Sequence, residues 1–550
     1  MTPGLAGFIV SGADAQTWDD VVADVLAALG QGFAVVPERG ATRGARRRTW
    51  FDTFDWRLYR AGLTLEYVVG RGGGELRLSG GDPAADAAQP APGWQASRPH
   101  PLGDLQDGPV AARIGGLVAP RALLPAVTVS VGAAVRRLLN DDRKTVARLV
   151  VEHPAVAGGD HQPLRPRLTI TEVRGYPGQA RRAVGIVAGV PGVRPVTEPL
   201  LADALGAVGR RPGDYSNKVT ATITAGMPAA EAAAVILLRL LDTIEANVPG
   251  VLRDVDTEFL HDLRVSVRRT RSALKLFGDA LTAPIAARSC ALTGDELARF
   301  AAEFKWVGDL TTPVRDLDVH LLDFEETARA LRAAKPDDLE PFRVYLAQRR
   351  LREFRTLTRG LRSPRFANLT REWRERLTRI RDSKNGGTVA TARLGQIRKG
   401  AGETTGTLAA ERTRRAFAKV AKRGAAITPA SPHESLHDLR KRCKELRYAL
   451  EFFAPLYDPA AYGAVLADLK RLQDCLGEFQ DTEVQIAEIR ALATSMLAAN
   501  EAPAVTLLAM GEVTAALAAR QQAARADFER RFAVFAGPDG RRMSLLLGEG

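Results

Sequence analysis

The chain has 550 residues, 45% of them hydrophobic, with 77 Lys+Arg against 64 Asp+Glu and a formal net charge of +13. At roughly 100–200 residues per domain this length implies two or more domains, each able to bury a core, and the apolar content excludes a disordered or collagen-like chain. The basic residues comprise 65 Arg and only 12 Lys beside 50 Gly, a skew that reads as GC-rich, bacterial coding bias, so the placement of charge informs more than its amount. No apolar run approaches the roughly 18 residues of a membrane helix; the best, Ala232 to Leu238, is cut by Arg239. Without a basic segment followed by an apolar one at the N-terminus, a secretory signal is not expected. Cys290, Cys443 and Cys475 lack metal-ligand spacing and read as buried small hydrophobes of a reducing cytoplasm.

Residues 1–200 read as mixed α/β. Ala15–Leu29 has helical spacing, followed by strand-like runs at Thr49–Asp52, Leu63–Val69, Glu75–Leu78, Val127–Val131, Val146–Glu152 and Arg167–Arg174. Arg71–Gly74 and Gly80–Pro92 read as turns or loops, and Pro177–Arg194 as mixed helix and loop. Many short strands predict an antiparallel sheet in an α+β domain, tunnel-like or closed into a barrel. Residues 201–216 read as a linker. From 217 to about 540 the pattern predicts an all-α bundle of roughly ten helices. Those segments are Pro228–Asn247, Glu258–Phe277, Glu296–Val307, Leu317–Ala333, Pro341–Leu361, Arg371–Arg381, Thr404–Arg423, Glu434–Phe453, Tyr462–Ala491 and Pro503–Phe532. Up to Ser216 there are 25 basic and 21 acidic residues (+4), and after it 52 and 43 (+9), so a basic binding surface is sought first in the helices.

That helical half contains a repeat. His261–Phe277 reads HDLRVSVRRTRSALKLF and His437–Phe453 reads HDLRKRCKELRYALEFF. Each copy is followed by a Gly/Asp segment, Gly308–Val319 (GDLTTPVRDLDV) and Leu472–Val484 (LQDCLGEFQDTEV). Repetition at this scale predicts a pseudo-twofold bundle. At about 100° per residue, His261, Arg264, Arg268, Arg271 and Lys275 share a stripe about 80° wide, beside an apolar side carrying Leu263, Val267 and Leu274. His437, Arg440, Lys441, Lys444 and Arg447 form a similar stripe about 120° wide, and Arg412, Arg415, Lys419 and Lys422 line a third helix. Arg269 and Arg442 point away and are expected in solvent. A lone basic stripe is usually a solvated face, and like charges at this spacing repel. Two matched stripes, each opened by a His, fit a long polyanion instead: Arg forks hold phosphate oxygens, Lys supplies point charge and His can donate. A stripe runs roughly 20 Å along its helix, closer to a chain of phosphates than to a nucleotide.

Over about Met227–Phe535 the sequence resembles the CHAD (conserved histidine α-helical) domain, through Gly226–Val251 (GMPAAEAAAVILLRLLDTIEANVPGV), both HDLR helices and the RDLD and LQDCLG segments. The resemblance implies a basic groove that binds inorganic polyphosphate, without catalysis, through the first two stripes and, as a looser match, Arg412, Arg415, Lys419 and Lys422. Asp316, Asp318 and Asp481 are expected to orient arginines by ion pairing rather than to bind metal. No catalytic or metal-binding residue and no cofactor is assigned.

In the first half, Arg48–Leu63 (RTWFDTFDWRLYRAGL) resembles the CYTH, or triphosphate tunnel, family with its YFDTxxxxLxxxGxxL stretch, and Thr171–Gly175 resembles a late strand of that family. Such enzymes need metal-binding carboxylates and inward cations. Here the opening Glu-x-Glu-x-Lys has no counterpart in Gly7–Ser11, and the Lys expected after Arg77-Leu78-Ser79 is missing. Arg136, Arg137, Arg143 and Arg148 remain as candidate tunnel cations, Glu152 and Glu172 as candidate carboxylates. The expectation is a degenerate, inactive tunnel domain. The alternative is a metal-dependent inorganic triphosphatase, for which Mg²⁺ or Mn²⁺ would be the cofactor. The expected partner is polyphosphate, with cytoplasmic placement on polyphosphate granules. Neither a membrane nor a specific nucleic acid is expected, since no DNA-binding motif is present and no aromatic interleaves the stripes.

Overall fold

Two compact units divide the chain, Met1–Ser216 and Asn217–Gly550. The computed structural model describes residues 6–12, 14–38, 43–70, 73–80, 86–158, 162–282, 291–383, 403–537 and 546.

The first unit runs β1 Ala6–Val10, α1 Ala15–Gly30, β2 Ala34–Pro37, β3 Arg43–Asp52, α2 Arg57–Arg60, β4 Leu63–Gly70, β5 Gly73–Gly80 and β6 Ala87–Pro90. It continues with α3 Pro109–Val118, β7 Leu124–Leu139, β8 Thr145–Val156, β9 Arg167–Glu172, α4 Pro177–Ala188, β10 Val193–Pro195 and α5 Leu200–Ala207. All strands join one antiparallel sheet in the order β10-β1-β9-β8-β7-β3-β4-β5-β6, with β2 also on β7. Among the described residues this path stays open at β10 and β6; no pairing closes it into a barrel. The Gly80–Pro92 stretch is not all loop, because Ala87–Pro90 pairs with Leu78–Glu75. That Ala- and Gln-rich run lacks the alternation that marks a strand in sequence. Arg71, Gly72 and residues 81–85 lie outside the described residues.

Alternation along the strands gives the sheet two unlike faces. On one, Phe8, Val10, Leu149, Val151 and Leu168 pack against α1 and α4, and Phe51, Leu65 and Leu76 against α3. On the other, Trp50, Val127 and Val129 meet Trp56 and α5. Asp52 ties β3 to α2: its carboxylate accepts the backbone N–H groups of Thr53 (2.7 Å), Leu58 (3.0 Å) and Tyr59 (2.9 Å). Burial, partly offset by those donors, pushes its carboxyl up to about 6.

The second unit is helical: α6 Ala229–Leu252, α7 Thr257–Thr282, α8 Gly294–Leu322, α9 Phe324–Arg329, α10 Glu340–Leu361, α11 Pro364–Asp382, α12 Thr405–Ala425, α13 His433–Phe452, α14 Pro459–Ala498 and α15 Ala504–Ala536. Two departures from the periodicity stand out. Gly308–Val319 is no break but the middle of α8, running through Pro313. The hydroxyls of Thr311 and Thr312 donate to the carbonyls of Val307 and Gly308 one turn back, so both side chains are folded onto their own helix just before the proline. The break falls instead at Asp323, between α8 and α9.

Around the first repeat Phe300 and Trp373 pack at 4.5 Å between centroids, joining α8 to α11. Around the second, Leu439, Leu446, Leu450, Leu472, Phe479 and Phe528 form a separate cluster. Cys443 and Cys475 are buried, unpaired thiols; Cys290 lies outside the described residues. Among the described residues no helix is long and apolar enough to cross a membrane.

Asp52→Ala leaves three backbone donors without their acceptor. It is expected to cost the first unit about 1–3 kcal/mol, read from its denaturant midpoint, while the helical unit's transition stays in place.

Candidate anion-binding groove

The repeats form two equivalent helix pairs, α7 with α8 and α13 with α14. Each uses the same internal contact. In the first, Arg264 Nη1 donates to Thr312 Oγ1 at 2.8 Å and to Thr311 Oγ1 at 3.3 Å. In the second, Arg440 Nη2 donates to Asp481 Oδ1 at 2.6 Å, and His437 Nδ1 contacts Gln480 Oε1. Counted from Gly308 and Gly477, Thr312 and Asp481 hold one position and Thr311 and Gln480 the one before it. Further along, Arg271 lies against Gly308, where an added Cβ would sit 3.5 Å from its Nη1. Arg315 approaches Glu258 at 3.9 Å, so α7 and α8 run antiparallel.

Across the repeats, α7 packs on α13. Glu451 of α13 accepts from Arg269 of α7 at 2.9 Å and from Arg447 at 2.7 Å. Arg269 is therefore not in solvent, as its turn away from the stripe implied; its side chain is 13% exposed and also donates to the Asn217 carbonyl. A helical wheel shows that Arg269 leaves the stripe but not that a second helix waits there. Arg442, likewise expected in solvent, is half-buried and pairs with Glu445.

The two stripes share one space. Burial pushes the Lys444 ammonium down to about 8, helped by Arg440, by Arg268 of the other repeat and by Arg447, with Asp481 opposing. Arg264 is lowered by burial, with Asp316 opposing and Arg268 and Arg315 adding to the effect. Arg268, Arg271, Lys275 and Lys444 have no carboxylate within 4.0 Å among the described residues. His261 is half-buried one turn before Arg264, and Lys441 is exposed with Asp438 at 3.6 Å.

The third stripe is only partly drawn in. Arg412 reaches Asp279 of α7 at 2.5 Å, one turn beyond Lys275. Arg415 pairs back onto Glu411 of its own helix, while Lys419 and Lys422 are exposed and have no carboxylate within 4.0 Å among the described residues. At the histidine end, His320 of α8 meets Glu488 of α14 at 2.9 Å, spanning the two outer helices. Beside it, burial and then Glu488 push the Asp316 carboxyl up. Thr311, Thr312, Gln480, His320 and Glu488 were not singled out in the sequence; only alignment of Gly308 with Gly477 would have flagged the first three. Asp318 pairs with Arg350 at 2.5 Å, as Asp481 does with Arg440. Among the described residues no cluster of three His, Cys, Asp or Glu side chains could hold a metal.

In the first unit the register places Arg137, Arg148 and Glu152 on the face that carries Arg48 and Glu66. Arg136 and Glu172 fall on the opposite face, and Arg143 sits in the β7–β8 turn at φ +58°. On the shared face Arg48 pairs with Glu66 and Arg148 with Glu38 at 3.2 Å, whereas Arg137 has no carboxylate within 4.0 Å among the described residues and its buried Nε has no hydrogen-bond partner. On β1, Phe8, Ile9 and Val10 are buried apolar side chains where the tunnel family has its Glu pair.

Among solved structures the chain is similar to the CHAD domain from the plant Ricinus communis, with 24% identity, TM-score 0.46, and coverage of 58% of this chain and 96% of that one. It is also similar to PptA from Streptomyces chartreusis, with 17% identity, TM-score 0.39, and coverage of 56% and 99%. A protein proposed to be an adenylate cyclase from Bacillus halodurans matches at 12% identity and TM-score 0.24, over 36% of this chain and 96% of that one. None of the curated proteins matches the chain. Residues 235–490, which include both histidine helices and both Gly-containing partners, match the family described as CHAD domain, and this part of the chain is a CHAD domain.

Proposed function

We propose that the helical unit binds inorganic polyphosphate along the groove between α7 and α13, without catalysis, and that this binding carries the protein to polyphosphate granules. The observation that supports it most is the crowding around Lys444. Cations of both repeats meet there, and the ammonium is held near the edge of its charged range. A site that costs the free protein energy by gathering like charge is completed by an anion; a run of phosphates supplies charge along both stripes at once. The family resemblance points the same way.

The alternative triphosphatase reading draws on the sheet face with Arg48, Arg137 and Arg148. Arg48 and Arg148 already have carboxylates, Arg137 alone of the three has none within 4.0 Å among the described residues, and Phe8, Ile9 and Val10 of β1 offer no metal ligands. Phosphate release from tripolyphosphate with Mg²⁺ or Mn²⁺ would favour it over simple binding.

Three outcomes are expected. The double variant R264A/R440A loses at least about tenfold in polyphosphate affinity at moderate salt, with unchanged helical circular dichroism; undiminished binding sinks the groove assignment. Wild-type affinity falls linearly in log–log terms with salt, and long polyphosphate displaces DNA from the protein rather than the reverse.

The Lys444 side chain gives the second test. Its folded value lies below its unfolded one, so its destabilising contribution is complete below about pH 8 and fades as pH rises toward 10.5. Lys444→Met is therefore expected to stabilise the helical unit by about 1 kcal/mol at neutral pH, solvent screening removing the rest, with the gain fading above pH 8. The third concerns protons. Bound phosphate restores the ordinary ammonium value, so binding near pH 9 takes up a proton, seen as calorimetric heats that depend on the buffer's ionisation enthalpy, and weakens as pH rises through 8.

A further inference from the structure

A fourth basic stripe lies outside the groove. Arg352, Arg355, Arg359 and Arg362, on α10 and at its C-terminal edge, are all exposed. Their spacing of three, four and three residues puts them on one ridge about 80° wide and about 15 Å long. Elsewhere on α10 and α11, Arg343, Arg350, Arg365, Arg371, Arg374 and Arg376 each have a carboxylate partner, and only Arg349 and Arg379 have none within 4.0 Å among the described residues. The four ridge arginines have none within 4.0 Å among the described residues. Like charges so spaced repel one another, and nothing on the ridge offsets it.

The ridge faces away from the groove. Leu346, Leu357 and Leu361 are the buried side of α10, and the four arginines centre about 170° from them. On the inner side α8 intervenes: Arg350 pairs with Asp318, and Gly360 leaves room for Leu310. It is α8 again, through Thr312, that touches Arg264 in the groove. A helix layer of roughly 8–10 Å therefore separates the two cationic surfaces.

We propose that the outer ridge of α10 holds a second inorganic polyphosphate chain, so that one molecule bridges two chains. This rests on the groove reading above and adds to it a second, opposed contact. A convex line of flexible guanidinium forks, without an apolar pocket, suits a flexible linear polyanion better than a shaped protein partner. A protein with one site only coats a chain; two opposed sites cross-link chains into a dense phase by multivalency.

The test uses the full chain and beads carrying immobilised long-chain polyphosphate. Protein is loaded, and fluorescent polyphosphate is then offered. Wild type is expected to stay on the beads and to capture the labelled chain. The variant R352Q/R355Q/R359Q/R362Q should stay on the beads within about threefold of wild type yet capture at least about tenfold less, with R355Q/R359Q between them. Gln keeps helix propensity, and unchanged circular dichroism checks the fold. The same charge loss in the first unit, R113Q/R174Q/R181Q/R194Q, should leave capture intact. Wild type that stays on the beads without capturing overturns the second contact while leaving the groove reading standing. Capture by the fourfold ridge variant equal to wild type, or labelled DNA captured in place of polyphosphate, also overturns it. Wild type that does not stay on the beads at all removes the groove reading, and this proposal with it.

Discussion

The carboxylate of Glu451 holds together two helices that their own charges drive apart. Arg269 reaches it from α7 and Arg447 from one turn earlier on α13, and both Glu451 and Arg269 are only 13% exposed. Further along the seam burial lowers Lys444, and Arg440, Arg268 and Arg447 add to it by repulsion. A buried ion pair adds little net stability, since desolvation offsets much of the attraction, but breaking one leaves an uncompensated buried charge. Its contribution here is registry. The packing of Phe277 on Phe453, with centroids 5.4 Å apart, supplies apolar attraction at the same seam, and Glu451 fixes where the two stripes stop relative to each other.

Duplication has left the two halves alike in frame and unlike in charge. The position four residues after the conserved glycine is Thr312 in one copy and Asp481 in the other; each receives the fourth residue of an HDLR motif. Arg264 thus has neutral hydroxyl partners and is lowered by burial, whereas Arg440 is neutralised at 2.6 Å. The first repeat therefore carries the less compensated charge. At the histidine end His320 and Glu488 cross from α8 to α14 with Asp316 beside them, and these carboxylates oppose the approach of an anion from that side.

Much of this was legible as periodicity. A 100° step places His261, Arg264, Arg268, Arg271 and Lys275 on one face, and the strand runs from Thr49 to Glu172 appear where alternation puts them. What periodicity lacks is the identity of the neighbour. Arg269 turns away from its stripe into a seam rather than into water, and Arg412 finds Asp279 while Lys419 and Lys422, on the same ridge, find no placed partner. Glycine and proline misled for a related reason. In Gly308–Val319 they resemble a break, yet α8 runs on through Pro313, packed against α7 with Arg271 lying against Gly308. Local breakers report backbone cost, and tertiary contacts decide whether it is met.

The FDT stretch of the first unit shows how a motif can serve the fold itself. Asp52 is buried and spends both carboxylate oxygens on the backbone of Thr53, Leu58 and Tyr59, and Thr53 Oγ1 accepts the N–H of Arg57 at 2.9 Å. These bonds fold the chain from β3 into α2 and leave no oxygen of Asp52 to face a ligand. Such an anchor is required by any sequence that keeps the sheet, catalytic or not. On β1, Phe8 and Val10 pack against α1 and α4, while Gly7 and Ile9 hold the positions on the face of Arg137 and Arg148 and bring no carboxylate to it. On that polar face Glu66 cancels Arg48 and Glu38 cancels Arg148 while Arg137 stays without a carboxylate, and in the helical unit Arg268, Arg271 and Lys444 have none within 4.0 Å among the described residues. Uncompensated charge is maintained at a cost, and in this protein that cost is concentrated in the helices.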